Sequence, residues 1–261
     1  MTDDFRAVVA SNPDRAGVFL DFDGTVSEIV EMPSDARPVE GARAVLGELA
    51  RRLAIVSIVS GRSAGQLLGW LGRDIEIWGL HGAEHVVEGR VELSDFVAPY
   101  ADVMAEARAE LEKRCAELGL PGVLVEDKAA IVGLHYRNAP VAEDAGVKLE
   151  AIATDVARAR GLKMLPGRMV IEVKPPVEFS KADVVLRLAS EHDLGAAAFL
   201  GDDVGDLRAF DALDELASRG VATVRVGVRS DESPPELLER ADEVVDGPEA
   251  TVAWLRSLLA D

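Results

Sequence analysis

The chain has few cysteines, no long hydrophobic run and no leader-like N-terminus. Its single cysteine, Cys115, has no partner for an internal disulfide or a cysteine-based metal site. A single cysteine agrees with a reducing compartment, and we expect the protein to lie in the cytoplasm. No stretch of about 18 apolar residues occurs, so no membrane-spanning helix and no membrane partner are predicted. The segment Met1–Phe5 is acidic and lacks an apolar region, which predicts that no signal peptide is present.

Positive charge is also scarce. The 261 residues include 28 Lys and Arg against 47 Asp and Glu, for a net charge of −19. This balance argues against nucleic acid as a partner, because such binding needs a basic surface. An anionic substrate can bind only where a metal ion and a few nearby Lys and Arg residues outweigh the negative potential of the whole chain. Nothing in the sequence requires an oligomer, and a monomer is the working expectation.

Strand and helix patterns alternate along the chain, which predicts the α/β class with a parallel sheet. A helix is predicted over 38–53, where apolar residues recur at helical spacing. The pattern changes in the middle of the chain, where it predicts a long charged helix over 95–118 and, after it, the remaining elements of an αββαββ unit. We therefore predict a core of two segments, 1–94 and 176–261, interrupted by an inserted α+β domain over 95–175.

Two aspartates follow the first buried-strand pattern, Gly17–Leu20. If strand geometry persists, Asp21 and Asp23 point the same way, towards one site at the carboxyl end of a strand. Neighbouring carboxylates repel unless a cation or a proton lies between them. The pair therefore favours a Mg²⁺-assisted nucleophile beside a general acid/base, and Thr25 offers a hydroxyl and an N–H to an anion. The alternative is an ordinary Asp-Gly turn after a strand.

Further polar residues stand at two other strand ends and at one helix start. They are Ser60, Lys181, Asp202, Asp203 and Asp206. A lysine in the first turn of a helix opposes the helix dipole, so a merely solvated Lys181 is a poor explanation. Acids crowded near a helix start repel one another, so capping explains all three aspartates poorly. Capping nevertheless accounts for one of the three acids. For Ser60 both roles stay open, since one hydroxyl serves either a helix cap or an anion.

The order of these elements resembles the haloacid dehalogenase superfamily of phosphohydrolases, in which a DxDGT motif is followed by Ser or Thr, then Lys, then an acidic pair. The resemblance implies a Rossmann-like core with a parallel sheet. It implies that Asp21 is the nucleophile that forms an aspartyl-phosphate and that Asp23 is the general acid/base. It also implies that Thr25, Ser60 and Lys181 bind the phosphate.

The same resemblance implies a magnesium site. Its protein ligands would be the carboxylates of Asp21 and Asp202 and the backbone carbonyl of Asp23. Asp203 or Asp206 would orient a metal-bound water without touching the metal. Such hard oxygen ligands match Mg²⁺.

Segments in the middle of the chain resemble, more specifically, the trehalose-6-phosphate phosphatase family. These segments are Gly79–Glu84, Glu126–Lys128, His135–Arg137 and Gly167–Pro175. The resemblance implies that the inserted domain is a cap of the C2B type, in which Glu126, Lys128, Arg137 and Glu172 bind the sugar. Carboxylates accept hydrogen bonds from sugar hydroxyls, whereas Lys and Arg donate to them. The alternative is a solvated, charged face of the inserted sheet.

The chain departs from the family pattern at Lys174 and Ala182, which replace Arg and Gly, and at Gly205 and Leu207, which replace Thr and Glu. None of these changes removes a proposed nucleophile, acid or metal ligand. The expected function is Mg²⁺-dependent hydrolysis of trehalose 6-phosphate to trehalose and phosphate. The alternatives are a capped phosphatase for sucrose phosphate or a glycosyl-phosphoglycerate, and a weakly active sugar-phosphate sensor, which Gly205 and Leu207 motivate.

Overall fold

The computed structural model describes residues 2–30, 32–128 and 130–260. Met1, Glu31, Ala129 and Asp261, which the predicted domains include, lie outside the described residues. The chain divides into two compact units. The first comprises the residues up to Glu92 and those from Phe179 onward, and the second comprises Leu93–Glu178.

The strands and helices of the described residues alternate for most of the chain. The strands are β1 (Ala16–Leu20), β2 (Ile55–Val59), β3 (Glu76–Gly79), β4 (Glu84–Val87), β5 (Arg90–Leu93), β6 (Leu124–Asp127), β7 (Val132–His135), β8 (Lys163–Gly167), β9 (Val170–Lys174), β10 (Ala196–Gly201), β11 (Ala222–Arg229) and β12 (Glu243–Asp246). The helices are α1 (Thr2–Ser11), α2 (Ala42–Ala50), α3 (Ala64–Leu71), α4 (Ala101–Leu118), α5 (Ala142–Arg160), α6 (Lys181–Glu191), α7 (Leu207–Ser218), α8 (Pro235–Arg240) and α9 (Gly247–Ser257).

The first unit is built on an eight-stranded sheet in the order β12-β11-β10-β1-β2-β3-β4-β5. The strands from β12 to β3 pair in parallel, and β4 runs antiparallel to β3. Strands β1, β2 and β10 are buried along their whole length, as expected for a parallel sheet covered on both faces. The register pairs Leu20 with both Leu200 and Ile58. The residues that follow these three strands therefore emerge side by side at one edge of the sheet.

The second unit is a four-stranded antiparallel sheet in the order β6-β7-β9-β8, accompanied by α4 and α5. Apolar residues of β7 and β9, such as Val132, Leu134 and Ile171, pack in one core with Leu111 of α4 and Leu149 of α5. The αββαββ order and the parallel sheet of the first unit confirm the predicted fold class.

Two predicted helices are shorter in the structure, each for a local reason. The helix predicted over 38–53 begins at Ala42, because Gly41 has a φ of 81° and stands in the left-handed region. The helix predicted over 95–118 begins at Ala101. It is preceded by a single 3-10 turn, Ala98–Tyr100, in which Pro99 has no N–H to donate.

None of the helices among the described residues is long and apolar enough to cross a membrane.

Candidate active site

A buried lysine joins two carboxylates where strands β1 and β10 end. Lys181 is the first residue of α6 and is only 3% exposed. Its Nζ lies 2.8 Å from Oδ2 of Asp21 and 2.7 Å from Oδ1 of Asp206. Burial alone would lower the pKa of Lys181, but the charges of Asp206 and Asp21 outweigh it and raise the pKa above its usual value. The solvated lysine considered as an alternative is therefore wrong.

The Asp206 carboxylate organises the loop that follows β10. Its Oδ2 accepts hydrogen bonds from the backbone N–H groups of Asp202, at 2.9 Å, and Asp203, at 3.1 Å. A side chain at position 201 would collide with the same carboxylate, so Gly201 keeps this approach open. Asp203 in turn caps the short helical turn Val204–Asp206 by accepting from the Asp206 N–H. Capping thus describes Asp203 and Asp206, but it leaves Asp202 unexplained.

Asp202 lies buried against the turn that follows β1. Its Oδ1 accepts a hydrogen bond of 3.1 Å from the Thr25 hydroxyl. Gly24 has a φ of 71°, and any side chain there would run into the Asp202 carboxylate, so the position requires glycine on two counts. Burial, followed by the negative charges of Asp21 and Asp203, raises the pKa of Asp202 to about 7.

Three buried carboxylates in this cluster fit a divalent cation. Asp21, Asp202 and Asp206 each offer an oxygen, and these oxygens lie within 4.8 Å of one another. Oδ1 of Asp21 is buried and has no hydrogen-bond partner in the described part of the chain. An unpaired buried acceptor costs about 1–3 kcal/mol, and a hard cation bound by carboxylate oxygens removes this cost. Both Asp206 oxygens already have partners, so Asp21 and Asp202 are the better ligands.

The Asp23 carboxylate has a different partner. Strand β1 ends at Leu20, and the Phe22 carbonyl then accepts from the N–H groups of Val26 and Ser27 in a tight turn. Regular strand geometry, the condition for Asp21 and Asp23 to point the same way, thus ends at Leu20, and Asp23 forms only an isolated bridge with Ser27. Both carboxylate oxygens of Asp23 accept hydrogen bonds of 2.6 Å from Nε and Nη2 of Arg62.

Arg62, to which the sequence motifs assign no role, is held from several sides. Its side chain is 11% exposed, and its Nη1 donates to the Pro33 carbonyl at 2.5 Å. The guanidinium also lies 5.1 Å from the ring centroid of Trp70 and 5.7 Å from that of Phe22. A planar guanidinium held on several sides fixes a carboxylate in one orientation. The signal available in the sequence was the position of Arg62, two residues after Ser60 at the same sheet edge.

Ser60 is buried directly after β2. Its hydroxyl oxygen accepts from the Arg62 N–H at 3.3 Å, and its backbone bonds to Trp78 and His81. The N-cap of α3 is Ser63, whose side chain accepts from the Gln66 N–H. The helix-cap alternative for Ser60 is therefore wrong.

In the second unit, the predicted sugar-binding residues include three that share one sheet face. Glu126 pairs in register with Gly133, which pairs with Glu172. These residues face away from the apolar neighbours that pack against the helices. Nζ of Lys128 lies 3.2 Å from Glu126 Oε2 and 3.8 Å from Glu172 Oε1. The structure thus brings Glu126, Lys128 and Glu172 together.

His135, which was not assigned a role, belongs to the same face. Its Nε2 lies 2.8 Å from Glu126 Oε2. Partial burial opposes ionisation of Glu126, but the hydrogen bond from His135 and the charge of Lys128 lower the pKa of this carboxyl below its usual value. Arg137 is exposed and lies two residues beyond the end of β7.

A family model and several curated relatives agree on one family. Residues 19–239 match the family model described as Trehalose-phosphatase. A trehalose-phosphate phosphatase of Mycobacterium marinum is 38% identical over 208 residues, which cover 76% of this chain and 52% of that protein. A trehalose-phosphate phosphatase of Mycolicibacterium paratuberculosis is 39% identical over 214 residues, which cover 78% of this chain and 53% of that protein. The chain thus spans about half the length of the curated relatives it matches.

Solved structures share the fold at lower identity. A trehalose-6-phosphate phosphatase related protein superposes with a TM-score of 0.67 and 24% identity, covering 93% of this chain and 96% of that one. The trehalose-6-phosphate phosphatase of Aspergillus fumigatus gives a TM-score of 0.63 and 22% identity, covering 99% and 97%. At these identities the likeness concerns the fold alone.

Proposed function

The chain belongs to the trehalose-phosphatase family, and from that premise we propose that it hydrolyses trehalose 6-phosphate to trehalose and inorganic phosphate. The membership confirms the family resemblance noted in the sequence. The observation that carries the proposal is the buried cluster in which Lys181 bridges Asp21 and Asp206 beside Asp202. This cluster supports the proposal because the candidates for nucleophile, phosphate-binding cation and metal ligands lie together where strands β1 and β10 end.

Asp21 is the proposed nucleophile. One of its carboxylate oxygens attacks phosphorus, the bond from phosphorus to the sugar oxygen breaks, and an aspartyl-phosphate forms. Water then attacks the phosphorus of this intermediate and releases the Asp21 carboxylate with inorganic phosphate. The contact with Lys181 orients Asp21 through Oδ2 and leaves Oδ1 without a hydrogen-bond partner among the described residues.

Asp23 is the proposed general acid and base. It protonates the departing sugar oxygen and afterwards takes a proton from the attacking water. Because Arg62 occupies both Asp23 oxygens, at least one of these hydrogen bonds must break before a proton is transferred. We assign Arg62 to holding Asp23 in orientation between turnovers.

The proposed cation is Mg²⁺, held by the carboxylates of Asp21 and Asp202 and, as the superfamily resemblance implies, by the backbone carbonyl of Asp23. When bound, it supplies Lewis-acid stabilisation of the charge on the transferring phosphoryl group. Asp203 and Asp206 support this site indirectly, because they fix the loop that carries Asp202.

The phosphate oxygens are assigned to Lys181, Ser60 and Thr25. An ammonium at the start of a helix supplies the point charge, and the Ser60 hydroxyl retains its own proton to donate while it accepts from Arg62. The Thr25 hydroxyl donates to Asp202 in the described structure, so its contribution to phosphate binding requires that it change partner.

The inserted domain, predicted over 95–175, is proposed to act as a cap that recognises the sugar through Glu126, Lys128, Arg137 and Glu172. A mixed set of carboxylates and cations supports this role, since a disaccharide offers many hydroxyls that both donate and accept. A site built to bond hydroxyls discriminates strongly, because an unmatched buried polar group is costly.

The test is phosphate release from trehalose 6-phosphate with and without Mg²⁺, beside glucose 6-phosphate, sucrose 6-phosphate and a glycosyl-phosphoglycerate. Metal-dependent preference for trehalose 6-phosphate, abolished by Asp21→Asn, is the expected result. Faster metal-dependent turnover of another substrate would keep the core chemistry and reject the sugar assignment. No turnover of any substrate would reject the enzyme and favour the sensor.

A further inference from the structure

A cavity in the first unit, separate from the candidate active site, is lined by three arginines. Its volume is about 770 Å³, and its charged lining comprises Arg37, Arg43 and Arg51 with Glu48 and Asp74. The positive groups outnumber the negative ones here, whereas the whole chain carries a net charge of −19. A local excess of cations in an acidic protein focuses anions at that place.

In the part of the chain that the structure describes, no acidic group pairs with the arginines of this cavity. Within residues 2–30, 32–128 and 130–260, no carboxylate lies within 4 Å of the guanidinium nitrogens of Arg37, Arg43 or Arg51. Arg37 donates instead to the backbone carbonyls of Ser34 and Ala36, at 2.7 and 2.6 Å. Their charges are therefore available to a ligand.

Local packing influences where two of these guanidiniums lie. That of Arg37 lies 5.4 Å from the ring centroid of Trp70, which also lines the cavity. That of Arg43 approaches Gly72, where a Cβ would come within 2.7 Å of Nη2. Side chains stacked on a ring or laid against bare backbone lose less conformational entropy on binding than freely moving ones.

We propose that this cavity binds a small anion carrying a phosphate or pyrophosphate group. Guanidinium forks match phosphate oxygens two at a time, and the volume of this open cavity lies within the range of small-molecule sites. Glu48 and Asp74 can accept hydrogen bonds from hydroxyls on the same ligand. None of Asp21, Lys181, Asp202 and Asp206 lines the cavity, although its Trp70 also stacks against Arg62.

The test is calorimetric titration of the full chain with inorganic pyrophosphate, without added divalent cation. Tryptophan fluorescence supplies a second readout, because Trp70, one of the three tryptophans, lines the cavity. The double variant Arg43→Gln/Arg51→Gln should bind at least about tenfold more weakly, and the control Arg90→Gln, an exposed arginine on β5, should bind as the wild type does. Phosphatase activity of the double variant should be unchanged, which also shows that it is folded.

Equal pyrophosphate binding by the wild type, the double variant and the control would overturn the proposal. Failure of the wild type to bind millimolar pyrophosphate would also overturn it, because the arginines would then be only solvated. A parallel titration with ADP identifies the source of the anion. If ADP binds more tightly than pyrophosphate and the double variant loses this binding, the result supports the site and assigns it to a nucleotide. Binding of polyglutamate but not of pyrophosphate would instead indicate an acidic protein surface and overturn the proposal.

Discussion

At the scale of single residues, the carboxylates of the site differ in which of their oxygens already have hydrogen-bond partners. Asp206 uses both oxygens for structure, Asp23 gives both to Arg62, and Asp21 keeps one without a hydrogen-bond partner among the described residues. Asp206, which holds the loop, and Asp23, the proposed proton donor, are thus distinguished from the carboxylates that are available to a metal. This difference also makes the role of each residue separately testable.

Arg62→Lys should lower kcat for trehalose 6-phosphate by about tenfold or more, since lysine keeps the charge but cannot hold both oxygens of Asp23 in one plane. An aryl phosphate with an acidic phenol needs little protonation of its leaving group, so its kcat should fall much less. The measurement is kcat and KM for both substrates, with Arg90→Lys as the control. Equal losses on the two substrates would contradict the assignment of Arg62 to Asp23.

Mg²⁺ binding should weaken as the pH falls below about 7, because the raised pKa of Asp202 makes a proton compete with the metal for this carboxylate. Well below that pH the apparent affinity should fall by about tenfold per pH unit, and above it the affinity should level off. Calorimetric titration with Mg²⁺ across this range tests the expectation, with Asp202→Asn as the comparison. Wild-type affinity that is independent of pH would contradict it.

At the scale of elements, three neighbouring strand ends and one helix start bring the site together. Helix α6 delivers Lys181 from its first turn, and this turn is fixed by Asp183, whose Oδ2 accepts from the N–H and the hydroxyl of Ser180 at 2.8 and 2.9 Å. Since Lys181 follows Ser180 directly, the cap sets the position of the ammonium. Helix capping therefore supports the phosphate contact that we propose for Lys181.

Asp183→Ala should lower the free energy of unfolding by about 1 kcal/mol and reduce kcat/KM several-fold, because the first turn of α6 loses its cap. Urea unfolding and steady-state kinetics measure the two effects. Glu191→Ala at the other end of the same helix removes only an exposed ion pair with Arg187, worth about 0.3–0.5 kcal/mol. Equal effects of the two variants on kcat/KM would show that the cap does not position Lys181.

At the scale of the whole molecule, an acidic chain is proposed to bind an anionic substrate. Around the Asp21 cluster, the two cations Lys181 and Arg62 are already paired with carboxylates, so they do not by themselves make the site positive. We therefore expect that a divalent cation must bind before a phosphate can approach favourably. The inserted unit adds a second specialisation, a polar sheet face bearing Glu126, Lys128 and Glu172.

Glu126→Ala and Arg137→Ala should each lower kcat/KM for trehalose 6-phosphate by about tenfold or more while leaving a small aryl phosphate almost unaffected, since only the disaccharide offers hydroxyls to these side chains. Glu150→Ala and Arg158→Ala, two exposed positions on α5, are the matched controls. Steady-state kinetics on both substrates provide the comparison. Equal losses on both substrates would mean that Glu126 and Arg137 are not sugar contacts.

Much of this organisation could be predicted from the sequence, because hydrophobic patterning shows buried strands and motif order identifies the residues that follow them. The α/β class, the αββαββ unit and the gathering of Asp21, Lys181 and Asp202 followed from such patterns. The Arg62–Asp23 pairing and the hydrogen bonds of Asp206 could not be predicted in this way. They depend on side-chain directions and on a turn at Phe22, which spacing along the chain does not encode.

The most direct test of the central claim is to find where phosphorus becomes attached during turnover. Single-turnover reaction of the wild type with trehalose 6-phosphate and Mg²⁺, quenched in acid and reduced with borohydride, converts an aspartyl-phosphate to homoserine that mass spectrometry locates. The account predicts conversion at Asp21, dependent on substrate and absent from Asp21→Asn. Phosphate release without conversion at Asp21, or with conversion at another carboxylate, would contradict it.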